Sequence, residues 1–252
     1  EDVDALEEAW EQAGLRGGGH AVKVQAPGPV TLAAQLELPG GHRAITDHGA
    51  LRDLAASLAE GLAVHRAEVA RRLDTPVVIQ LDEPSLPAAL QGRLAGVTSL
   101  TPVHPVDEPL AMSLLEACAG QAGSEVAVHS CAAGLPWKAF LRSGIHAVSV
   151  DVSTLTPPDL DGIGEFVDSG RTVLLGVVPT TAPDRRPSVE EIATSVVALT
   201  DRLGFARAVL RDRIGITPSC GLAAATPEWA RVAVELAQKV ADALAEDPGA
   251  IS

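Results

Sequence analysis

The stretch Thr75-Pro76-Val77-Val78-Ile79-Gln80-Leu81-Asp82-Glu83-Pro84 decides how the rest of the chain is read. It is apolar at consecutive rather than alternate positions, which predicts a strand over 75–81 buried on both faces, as in a parallel sheet covered by helices. Just upstream, Leu51, Leu54, Leu58, Leu62, Val69 and Leu73 fall at helical spacing with Arg and Glu between them, so 47–73 reads as a long amphipathic helix. Earlier still, 21–25 reads as a strand that stops at Pro27-Gly28-Pro29 and feeds a helical run over 30–36. The opening segment 1–10 is helical in spacing, with acids crowded into its first turn. Beyond Pro84 the alternation continues. Strands are expected at 125–128, 146–150, 171–178 and 214–217, and helices near 110–118, 136–143, 160–169, 188–203 and 227–244.

Strands that are apolar throughout and alternate with helices define an α/β fold with a parallel sheet, either a closed barrel or a doubly wound sheet. No Gly-x-Gly-x-x-Gly follows the first strand, which argues against a dinucleotide-binding sheet. The 252 residues suit one barrel read as a single domain over 1–252. Six strands are clear and a seventh is readable at 97–103. The expectation is a (β/α)8 TIM-type barrel lacking its first strand or strands in this chain, because the sequence opens inside an element. The second Asp-Glu-Pro, at Asp107 to Pro109, reads as a chance repeat.

Composition narrows the partners. Hydrophobic residues make up 46% of the chain, aromatic ones 2%. The core is therefore aliphatic, as in the layered interior of a barrel, and stacking on nucleic-acid bases is excluded in practice. A formal charge of -14 repels phosphate backbones and anionic membranes, which leaves a small molecule as the expected ligand. No apolar run is long enough to span a bilayer. Three cysteines cannot all pair, they lie far apart, and no signal-peptide pattern precedes them; a reducing cytoplasm is expected.

Chemistry concentrates at strand ends. His129 and Cys131 sit two apart at the end of the 125–128 strand, a spacing that sends an imidazole and a thiol to the same side of an extended chain. Cys220 follows the 214–217 strand, and in a parallel barrel all strand C-termini open on one face. Three nitrogen and sulfur ligands on that face suit a catalytic zinc site with an open position. Read from spacing alone, each cysteine is equally a small buried hydrophobe and His129 a satisfied polar residue. Cys118, inside a helical run, reads as core.

Four segments carry a resemblance: Gly28-Pro29-Val30-Thr31, Ile79-Gln80-Leu81-Asp82-Glu83-Pro84, Val128-His129-Ser130-Cys131 and Pro218-Ser219-Cys220-Gly221-Leu222. Together with Pro187-Ser188-Val189-Glu190-Glu191 they resemble, in order, the C-terminal catalytic half of the cobalamin-independent methionine synthase family, over about 22–244. The resemblance implies a methionine synthase and uroporphyrinogen decarboxylase type of barrel that acts as a methyltransferase in methionine biosynthesis. Its zinc would be held by His129, Cys131 and Cys220. The fourth ligand falls at Asp151, where the family usually has Glu. Asp82 would hold the ammonium of homocysteine, with Glu83 beside it. The zinc-bound thiol of homocysteine would then take a methyl group from methyltetrahydrofolate or a methylcorrinoid.

The chain departs from the family at Pro179 and Thr181, which stand where an Asp and a proton-transferring His are usual. Neither can act as a general acid, and protonation of a methylfolate ring nitrogen needs one; a methylated corrinoid, free or presented by a corrinoid protein, needs none. Ala223-Ala224-Ala225 replaces a basic stretch, and the early strand with Ile-Gly-Ser contacts to homocysteine is absent from this chain. Two alternatives stand beside the homocysteine reading: methyl transfer from a corrinoid protein to another thiol such as coenzyme M, and a non-catalytic zinc-binding or ligand-binding relative.

Overall fold

The computed structural model describes residues 2–96, 98, 102–123, 125–249 and 251. Among them run six strands, all parallel where their pairing is recorded, in an order that follows the chain, β1 to β6. The chain divides into two compact units, residues 1–129 with 142–146, and residues 130–141 with 147–252. Among the described residues the eight strands of a complete barrel are not reached: of the segment 97–103, residues 98, 102 and 103 are not in a strand, and the rest lies outside the described residues.

The first unit contains α1 (Asp2–Gln12), β1 (Val22–Pro27), α2 (Pro29–Gln35), α3 (His48–Leu73), β2 (Val77–Asp82), α4 (Leu86–Leu90), α5 (Glu108–Ala122) and, as far as His129, β3 (Val126–Ser130). Helix α3 starts where the Asp47 carboxylate accepts from Gly49 N at 2.8 Å and Ala50 N at 2.9 Å, an N-cap that satisfies two otherwise orphaned donors. It ends at Asp74, whose φ of 50° turns the chain toward β2. The buried line of α3 is Leu51, Ala55, Ala59, Leu62, Val69 and Leu73, with Leu54 and Leu58 half-buried at its flanks. Alanines at its centre let α3 lie close against α5, a packing that leucine spacing alone understates. Asp107 to Pro109 is the start of α5, with proline in its first turn, where its missing N–H costs nothing.

The second unit contains, as far as Leu141, α6 (Trp137–Arg142), then β4 (Ala147–Asp151), α7 (Pro157–Asp168), β5 (Thr172–Val178), α8 (Val189–Arg202), α9 (Val209–Asp212), β6 (Ile214–Pro218) and α10 (Pro227–Glu246). Three of its five aromatics cluster: Trp137 meets Phe140 and Phe166 edge-on, with ring centroids 6.4 and 5.9 Å away. The Trp137 indole donates to buried Asp159 at 3.0 Å. A Cβ on Gly162 would lie 2.1 Å from Trp137, so that glycine makes room for the ring. Ser188 and Glu191 cap α8 reciprocally, Glu191 N to Ser188 Oγ at 3.1 Å and Ser188 N to Glu191 Oε2 at 2.8 Å, which gives the Pro187 to Glu191 segment a helix-starting role.

No described helix is long and apolar enough to cross a membrane.

Candidate metal centre

His129 is the last residue but one of β3 and is buried, Cys131 follows one residue beyond the strand and is half-buried, and Cys220 stands two residues beyond β6 and is exposed. Their ligand atoms all lie within 4.8 Å of one another, the one such group of three among the described residues. His129 and Cys131 meet because the extended strand puts alternate residues on one side.

Cys220 is set by backbone contacts within the second unit. Ser219 N donates to Val178 O at 2.9 Å, tying the residue before Cys220 to the end of β5. Beneath it lies Gly176, paired with Asp151 on one side and Thr217 on the other. A Cβ on Gly176 would come within 2.6 Å of Val150 O and 2.7 Å of Ser219 Cα. The loop that presents Cys220 therefore passes so close to β5 that only glycine fits. Sequence reading did not single out Gly176, although an isolated glycine inside an apolar strand run is the mark of such an approach.

Burial, and then the neighbouring Cys220 thiol, push the Cys131 thiol up to about 11. A thiol raised that far keeps its proton at neutral pH. Two cysteine sulfurs and an imidazole nitrogen converging at one point form a soft donor set that fits zinc in type and number, with room for further ligands.

Asp151 lies outside this group. Its Oδ1 accepts from Ser153 N at 2.9 Å and Ser153 Oγ at 2.7 Å, capping the turn after β4, and its charge is among the influences that raise Cys131. Asp82, half-buried, is the register partner of His129 on the neighbouring strand. Its Oδ1 accepts from Gln80 Nε2 at 2.7 Å.

Glu83 is placed differently from its neighbour. It is fully buried. Its Oε1 accepts from Val30 N at 2.9 Å, and its Oε2 from Thr31 N at 2.8 Å and Thr31 Oγ1 at 2.7 Å. A Cβ on Gly28 would sit 2.3 Å from Glu83 Oε1, so Gly28-Pro29-Val30-Thr31 is a cradle cut to this carboxylate. Burial raises Glu83 to about 7 against the opposing pull of Thr31 and Val30. Cys118 is buried in α5 with its thiol toward Ala55 O at 3.7 Å, and burial raises it to about 12. Pro179 uses its carbonyl to accept from the Trp229 indole at 3.0 Å.

Fold and site together define an α/β protein with an imidazole and two thiols gathered at the C-terminal ends of parallel strands. The chain belongs to the family described as the cobalamin-independent synthase catalytic domain, whose model matches residues 1–243. The family points to a methyltransferase-type enzyme connected with methionine synthesis. No match to a curated protein was found. Among solved structures the chain is similar to the crystal structure of an uncharacterised protein, at 13% identity and a TM-score of 0.32, over 64% of this chain and 38% of that one. The chain thus spans well under half the length of that structure.

Proposed function

We propose that this chain is a zinc-dependent methyltransferase domain that activates the thiol of homocysteine for methylation to methionine. The observation that carries the reading is the convergence of His129, Cys131 and Cys220 ligand atoms within 4.8 Å in a member of this family. Those three residues would hold the metal, with Asp151 as a fourth ligand once it leaves Ser153. The six parallel strands are read as part of the family's (β/α)8 barrel.

Zinc bound there would supply the positive charge that keeps a substrate thiol deprotonated near neutral pH, where a free thiol with a pKa of ~8.5 is mostly protonated. The protein's own groups divide the remaining work. Cys131 and Cys220 contribute two negative charges when deprotonated, which leave the substrate sulfur electron-rich. Buried His129 anchors the inner side of the group and exposed Cys220 leaves its outer side accessible to thiol and donor. Asp82, on the strand beside His129, takes the substrate ammonium and so orients the sulfur. In the transfer the new S–CH3 bond forms as the donor's bond to methyl breaks, and the thiol proton is lost to solvent.

The test is zinc stoichiometry on the purified chain together with X-ray absorption at the zinc edge, with and without homocysteine. About one zinc with sulfur and nitrogen neighbours, gaining a sulfur when homocysteine is added, is the expected result. A chain that retains no zinc under reducing conditions would reduce the reading to kinship of fold.

A further inference from the structure

We propose that Lys23 and Gln80 are positioning residues for Asp82, holding its carboxylate so that one oxygen is fixed inside the protein and the other is presented to an amino-acid ammonium. The inference rests on the reading of Asp82 given above and gives a role to two further residues, Lys23, which lies outside the motif segments, and Gln80, which lies within one of them.

Strands β1 and β2 are parallel, with Lys23 opposite Val78, Gln25 opposite Gln80 and Pro27 opposite Asp82. Paired residues, and residues two apart on one strand, share a face, so Lys23, Gln80 and Asp82 lie on one side of the sheet. Lys23 Nζ donates to Gln80 Oε1 at 2.7 Å and to Gln25 Oε1 at 3.3 Å. Gln80 Nε2 donates to Asp82 Oδ1 at 2.7 Å.

The direction of this relay is forced. An ammonium only donates and a carboxylate only accepts, so the amide between them has a single orientation that satisfies both. Gln80 is 6% exposed, which leaves little opportunity for water to replace either partner. Without Lys23 the amide is free to turn its oxygen toward Asp82, where oxygen would face oxygen. Asp82 pairs in register with His129, so a carboxylate held at this position sits one strand from the metal-ligand group. The distance between the thiol and ammonium ends of a short amino acid would then be matched by fixed groups on neighbouring strands, and the ammonium end would be under the control of a lysine on β1.

The experiment compares two thiols on the zinc-loaded protein by titration calorimetry: homocysteine, and 4-mercaptobutanoate, which lacks only the amino group. Wild type is expected to favour homocysteine. Lys23→Met and Gln80→Met are each expected to lower that preference about tenfold while leaving 4-mercaptobutanoate affinity unchanged, and Lys23→Arg to retain most of it. Lys23 is exposed, so its variants should keep wild-type melting by circular dichroism and decide the matter even if Gln80→Met does not fold. If Lys23→Met keeps the full preference while Asp82→Asn loses it, the positioning role is overturned and the Asp82 reading survives. If wild type binds both thiols equally, or binds neither, the relay and the reading beneath it fall together.

Discussion

Two gatherings of polar side chains differ in how complete they are. Around Glu83, two backbone N–H groups and one hydroxyl donate to two carboxylate oxygens, and no solvent reaches them. At His129, Cys131 and Cys220, exposure rises from buried to half-buried to exposed, and at least one thiol, that of Cys131, is pushed up to about 11. The first arrangement satisfies itself and has nothing to offer a ligand. The second brings together groups that are poor partners for one another as neutral species and good partners for a cation. Adjacent acidic residues, Asp82 and Glu83, are thus placed differently: one is half-buried and in register with His129, where the proposed function gives it the substrate ammonium, and the other fastens β2 to the start of α2.

The sharpest way to break that contrast is Glu83→Ala. It strands three buried donors and should cost about 3 kcal/mol or more in urea unfolding; a near-neutral result would mean that the cradle is not structural. Next in size, Cys220→Ala should lower zinc affinity by about a hundredfold or more without lowering the melting temperature of the metal-free protein, whereas Cys118→Ala should keep its zinc. Equal zinc content in both variants would sink the ligand assignment. Gly176→Ala should displace the Cys220 loop, weakening zinc about tenfold although residue 176 offers no ligand of its own, as a chelator competition would show.

The pH dependence of stability sharpens the other side. Glu83 is raised in the folded protein from 4.5 to about 7, so the stability it contributes is complete below the unfolded value and is lost as pH climbs through the folded one. Wild type should therefore lose on the order of 2–3 kcal/mol between about pH 4.5 and 7, and Glu83→Gln, which cannot titrate, should follow a flatter curve. The smallest effect expected is that of Ser188→Ala, about 1 kcal/mol from the lost cap of α8, with zinc content unchanged. A loss of zinc there would show that the two functions are not separable.

Much of this was legible in residue order. The continuous apolar run ending at Leu81 and the leucine spacing of 47–73 locate β2 and α3 to within a residue or two, because a strand buried on both faces and a long amphipathic helix have strong periodic signatures. Helices α4 and α9, five and four residues long, are too short to show a period. The convergence of His129, Cys131 and Cys220 was readable from their positions at strand ends. The role of Glu83 was not, because it depends on Gly28 and Thr31 from a distant segment, and a carboxylate beside Asp82 looks the same in sequence whether it faces solvent or a cradle. The Lys23–Gln80 relay needs the register of β1 against β2, which no single-strand pattern specifies.

The closeness of Gly28 to Glu83 also has a consequence for inheritance. A side chain at residue 28 has no space while glutamate occupies residue 83, and a shorter acid at 83 cannot reach the donors at 30 and 31 while the loop stays where it is. Changes at either place should be rejected singly and tolerated, if at all, in pairs. In a mutational library the two segments should therefore show strong epistasis, and a chimera that takes one from a relative should fold well only when it takes the other from the same parent.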